Sequence, residues 1–226
     1  MESFHLIGLI LAAFVMTLDM TSAASKRCDE GPGLAKCVTQ YVSGFASPQN
    51  AKLDSLKLHC KLDRELALCT DKELATCPGK TLKALGRAVL SYIAFDRKLG
   101  ACPKYGYWSL YQKLLEKNVK RTFDDDDDDD DDASPVDKNS WNYKINTLLH
   151  VSKYSRCAKR VDISCVRRYV ARMRKDQNLC ANIVFKHECL RVKTCEAGII
   201  TDLLNVFPEE AKKVLAVLCV KAEDSG

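Results

Sequence analysis

The chain is poor in histidine, with four in 226 residues, and it contains no C-x-x-C pair, no H-E-x-x-H and no G-x-S-x-G word. Dithiol redox chemistry, zinc clusters, zinc proteases and serine hydrolases therefore lose their usual sequence supports. It has no N-x-[ST] word, so N-glycosylation is not expected. Alternating β-branched runs closed by hairpin turns are missing too, which leaves strands little support. Only one long apolar run is present, from Phe4 to about Leu18, and no later segment is long and apolar enough to cross a bilayer.

That run ends in the small residues Ser22, Ala23 and Ala24. It has the shape of a secretory signal peptide spanning 1–24, cleaved after Ala23 or Ala24. All twelve cysteines follow it: Cys28, Cys37, Cys60, Cys69, Cys77, Cys102, Cys157, Cys165, Cys180, Cys189, Cys195 and Cys219. An even count behind such a leader points to disulfides formed in an oxidising compartment. The expectation is a secreted, extracellular, cysteine-rich protein.

The cysteines fall into two similar sets. The first six are separated by 8, 22, 8, 7 and 24 residues and the second six by 7, 14, 8, 5 and 23. CVTQYV at Cys37 matches CVRRYV at Cys165, and Thr76-Cys77 matches Thr194-Cys195. Two copies of one six-cysteine unit are the natural reading. Apolar residues at three- and four-residue steps predict helices over Asn50 to Cys69, Gly79 to Leu99, Ser164 to Lys175, Asn178 to Lys193, Glu196 to Val206 and Pro208 to Lys221. The expected fold is all-α, as disulfide-stapled helical units in two tandem six-cysteine repeats. Helices of on the order of 12 residues are marginal alone, so cross-links between them supply what a small core cannot. Six cysteines allow 15 pairings, and spacing does not choose among them.

Nine consecutive aspartates, Asp124 to Asp132, lie between the two sets. Adjacent carboxylates repel, bury nothing apolar and would stack like charges in a helix. The run is read as a solvated acidic linker over 122–138, between unit 1 at 25–121 and unit 2 at 139–226. An electrostatic mask over basic faces and diffuse calcium contact are the alternatives. Both flanking units are cationic, and the whole chain carries a formal charge of +5. Lys120-Arg121 is a dibasic pair that a processing protease could cut, or an ordinary basic helix end.

Two candidate sites stand out. On a helix, residues 164–176 place Cys165, Val166, Tyr169, Val170 and Met173 on one arc and Arg167, Arg168, Arg172, Arg174 and Lys175 on the other. Such a basic face suits anionic glycans, lipids or acidic proteins, or it is simply a solvated surface; nucleic acid is not expected of a secreted chain. Tyr107, Trp108 and Tyr111 could line a pocket for an apolar ligand, or lock a helix onto a core. His59 and His187 stand beside cysteines and are expected near disulfides, with no metal and no cofactor. The acidic pairs Asp63 with Glu65 and Asp71 with Glu73 read as surface charges. The functional expectation is a non-catalytic binding protein of the extracellular fluid working through basic helix faces. The alternatives are a carrier of small hydrophobic ligands and an antimicrobial host-defence protein.

The segment from Asn178 to Cys219, NLCANIVFKHECLRVKTCEAGIITDLLNVFPEEAKKVLAVLC, is similar to the cysteine motif of secreted all-helical proteins of nematodes and arthropods, known as domains of unknown function and haemolymph-type proteins. The unit from Cys28 to Cys102 resembles it more weakly. The resemblance implies a secreted all-α fold and no particular activity. The six-cysteine helical units also resemble microplusin-like tick antimicrobial peptides. Those bind copper through abundant histidine, which this sequence lacks.

Overall fold

The computed structural model describes residues 28–102, 113, 114, 117, 138, 140–150, 156–192 and 213–219. The leader, the aspartate run, Lys120-Arg121, Tyr107, Trp108, Tyr111 and Cys195 lie outside the described residues. Within them the fold is all-α, with no strand.

Helix α1, Gly31–Ala46, buries Leu34, Cys37, Tyr41 and Phe45 along one face. Pro32 sits in its first turn, where a missing N–H is harmless. A short 3-10 turn, Pro48–Asn50, leads to α2, Ser55–Thr76. Asp54 caps α2 by accepting from the Leu56 and Lys57 amides at 3.0 and 3.1 Å. This cap explains why the helix expected from Asn50 starts five residues later. Helix α3, Lys80–Leu99, stops at Gly100, whose φ of 76° is the left-handed cap that glycine adopts without strain. The start of α3 is capped from a distance, because the Glu30 carboxylate accepts from the Thr81 and Leu82 amides at 2.9 Å.

The second half supplies α4, Trp141–His150, α5, Arg156–Asp176, and α6, Leu179–Val192, with a further helical stretch at 213–218. The helix predicted from Ser164 thus begins two turns earlier. The stretch 196–206 lies outside the described residues.

Bridges join Cys28 to Cys77, Cys37 to Cys69, Cys60 to Cys102, Cys165 to Cys189 and Cys180 to Cys219. Cys157 is disulfide-bonded as well. Each of these five bridges stays within one half. In both halves the second cysteine pairs with the fourth and the third with the sixth.

The two halves nevertheless share one apolar core. Leu58, Leu62, Phe95 and Leu99 from the first belong to the same buried cluster as Val166, Val170, Met173 and Leu190 from the second. Helix α5 packs against α1, α2 and α3, and α4 packs on α3. Trp141 on α4 donates its indole N–H to Ser91 Oγ on α3 at 2.9 Å. Units with separate small cores, tethered only by a linker, are therefore not what these contacts describe.

Candidate functional site

Where α1, α2, α3, α5 and α6 meet, the core is polar. His59, Asp63, Asp96, Asp162 and Lys186 are all at most 5% exposed. This corrects the reading of Asp63 as a surface charge. Its neighbour Glu65 is exposed, but Asp63 lies one helical turn from His59 on the inner face of α2. Asp71 and Glu73 do behave as surface charges, paired with Lys117 and Lys36.

His59 Nε2 stands 2.7 Å from Asp96 Oδ2 and 3.3 Å from Asp63 Oδ2. Asp63 Oδ1 accepts from the Tyr41 hydroxyl at 2.9 Å, and the Tyr41 and Tyr169 hydroxyl oxygens are 3.1 Å apart. The Lys186 ammonium lies 3.8 Å from the centre of the Tyr92 ring and 5.4 Å from that of Tyr169. That is cation–π range, and the site is desolvated. Among the described residues its one hydrogen-bond partner is His59 Nε2 at 3.5 Å.

Electrostatics divide the three carboxyls. Burial pushes Asp162 well up, and the neighbouring Asp96 charge pushes it further, so it holds its proton. Asp162 and Asp96 share a side-chain hydrogen bond that raises the first carboxyl and lowers the second, and no other donor among the described residues reaches the Asp162 oxygens or Asp96 Oδ1. Burial also acts upward on Asp96, but His59 and then Lys186 outweigh it and hold the carboxyl below its ordinary range. Asp63 is raised by burial, with His59 and Lys186 opposing. Burial also raises Tyr41, Tyr92 and Tyr169.

His59, Asp63 and Asp96 bring one ligand atom each within 4.8 Å of one another, the spacing a metal site would need. The Lys186 ammonium beside His59 Nε2 already supplies a positive charge there, and a divalent cation would face it across a few ångströms. The geometry is that of a buried ion-pair network. His59, expected beside a disulfide, is adjacent to Cys60 in sequence while its ring turns inward to Asp96. His187 accepts from, or donates to, the Tyr92 hydroxyl at 2.8 Å, and burial and then Lys186 bring it down to about 4.

This network closes one end of a cavity with about 60 Å³ of room for the centres of water-sized spheres. The rest of the wall is apolar. Val38 comes from α1, Leu66 from α2, Leu85 and Val89 from α3, Ile183 from α6, and Val214 and Leu218 from the last stretch. A single water needs roughly 10–15 Å³ on this measure, so the space admits several waters or part of a small organic molecule.

The basic face lies elsewhere. On α5, Cys165, Val166, Tyr169, Val170 and Met173 are buried, as the helical projection predicts, and Arg167, Arg168, Arg172 and Lys175 are exposed. Arg174 turns away to donate to the Leu53 carbonyl at 2.7 Å, so it ties α5 to the other half. Arg172 donates to Asn182 Oδ1 at 2.7 Å and stacks over Phe185. Tyr107, Trp108 and Tyr111, the expected pocket, lie outside the described residues, and the cavity found here is built from other side chains.

Comparison with family models, with curated proteins and with solved structures finds no match to this chain.

Proposed function

We propose that the protein is a secreted, non-catalytic carrier that holds a small hydrophobic molecule between its two halves. One observation carries this reading: an apolar cavity, bounded by helices from both halves, ends on tyrosines and a buried ammonium. Concave, mostly apolar spaces with a few polar groups at one end are the usual form of small-ligand sites. The disulfides and the leader-like first 24 residues support an extracellular setting. Two cationic copies of one unit, fused through an acidic stretch, are the proposed ancestry. The test is native mass spectrometry of protein taken from its source, with uptake of a lipophilic fluorescent probe by the purified chain. Bound lipophile and probe uptake that Val89→Phe suppresses are expected. A folded protein that takes up no probe rejects the carrier.

A second reading rests on the outer face of α5, where Arg167, Arg168 and Lys175 are exposed. We propose that this face attaches the carrier to anionic glycans. Salt-dependent retention on heparin, lost on Arg167→Ala with Arg168→Ala, is the expected result; unchanged retention removes this face from the function.

A further inference from the structure

From the surroundings of Lys186 we infer that the cavity selects lipophilic molecules that carry one uncharged oxygen acceptor, such as a ketone, ester or alcohol, over hydrocarbons and over carboxylates. The inference rests on the carrier reading and specifies its ligand. Lys186 is 3% exposed and lines the cavity. An ammonium has three N–H donors and accepts nothing. Among the described residues it has one ring nitrogen at 3.5 Å and two tyrosine rings, and no carboxylate within 4.0 Å. A buried cation with unfilled donors is costly, and a ligand oxygen at that end of the cavity would relieve the cost.

The charge of the ligand follows from the carboxyls behind the ammonium. Asp63 and Asp96 belong to the same buried network, each against His59. They already answer the positive charge through space. What Lys186 lacks is an acceptor rather than a counter-ion. A ligand carboxylate would add a further negative charge close to Asp63, which itself lines the cavity, and like charges in a desolvated space repel strongly. A carbonyl or hydroxyl oxygen fills the donor without that penalty.

The experiment is competition against a cavity-bound fluorescent probe at neutral pH by three straight-chain compounds of equal length: the methyl ketone, the alkane and the carboxylate. The ketone is expected to compete at least about tenfold better than either, the increment of one hydrogen bond to a charged donor. In Lys186→Met, which keeps the length and removes the ammonium, the ketone and the alkane become equal. Should that variant fail to fold, the ratio measured on the unaltered protein decides alone. Carboxylate binding better than ketone overturns the inference, and so does equal competition by ketone and alkane; both leave the carrier standing. A probe that never binds overturns the carrier itself.

Discussion

Tyr41 and Tyr169 occupy the same place in the matching words CVTQYV and CVRRYV, and their hydroxyl oxygens lie 3.1 Å apart in the core. The contact joins the two halves where α1 and α5 pack against each other. Both helices that carry these residues, α1 and α5, also hold the second cysteine of their set, bridged in each case to the fourth. Phe45 meets the Tyr169 ring edge-on at 5.7 Å and Tyr41 at 5.1 Å, so the contact is packed as well as hydrogen-bonded.

The hydroxyls in this contact are not equivalent in energy. Tyr41 donates to Asp63, which leaves its oxygen to accept from Tyr169. Tyr41→Phe therefore strips a buried carboxylate of a donor and Tyr169 of an acceptor, a loss of about 1–3 kcal/mol. Tyr169→Phe removes one neutral bond only, worth about 1 kcal/mol. Thermal unfolding of the two variants should show the larger fall for Tyr41→Phe. Equal falls would mean that Asp63 does not depend on this hydroxyl.

A shared core predicts shared unfolding. With α5 packed on α1, α2 and α3, the loss of either half exposes the apolar face of the other. Calorimetry should give one transition with equal calorimetric and van't Hoff enthalpies. Two resolved transitions would show that each half stands on its own disulfides. The Gly44→Leu variant, which drives a side chain into Leu62 at the α1–α2 contact, should lower that single transition rather than split it.

Much of the fold can be read from residue order. Apolar spacing places α3 between Gly79 and Leu99, Gly100 stops it, and the buried arc of α5 is the one that the 100° projection draws. Helix α1 carries the same kind of signal in Leu34, Cys37, Tyr41 and Phe45, although the Gly-Pro-Gly at its start disguises it as a loop. The candidate site was less legible. Asp63 and Asp96 look like ordinary surface carboxylates because their neighbours in sequence are charged. What buries them is the approach of α5 and α6, which local pattern does not encode. Lys186 likewise sits between Phe185 and His187 on a helix with no clean apolar face, so its burial against Tyr92 depends on the pairing of the halves.

Asp162 sets one arm of the pH response. Burial, and after it the charge of Asp96, raises its carboxyl well above the ordinary value, so the folded chain keeps a proton that the unfolded chain releases above about pH 4. More protons bound in the folded state mean that this group's contribution is complete below that pH and declines as pH rises towards the folded value. Asp162→Asn, which mimics the protonated form, should gain on the parent protein steadily as pH rises above about 4 in urea unfolding. A difference independent of pH would place a proton-free carboxylate in the core.

His187 acts in the opposite direction over a neighbouring range. Burial first, and the adjacent Lys186 second, lower its imidazole to about 4, while the unfolded side chain titrates near 6.5. Between those values the unfolded chain binds the extra proton, so the stabilisation is complete above about pH 6.5 and is lost as pH falls towards 4. Facing it across the helix contact is the Tyr92 hydroxyl on α3, with Lys186 beside it on α6. Allowing for its partial exposure, the loss is on the order of 2 kcal/mol. His187→Gln keeps a partner for Tyr92 and removes the titration. Urea midpoints of the parent should therefore drop more between pH 7 and pH 5 than those of the variant, and parallel drops would show that the imidazole is protonated in the folded protein.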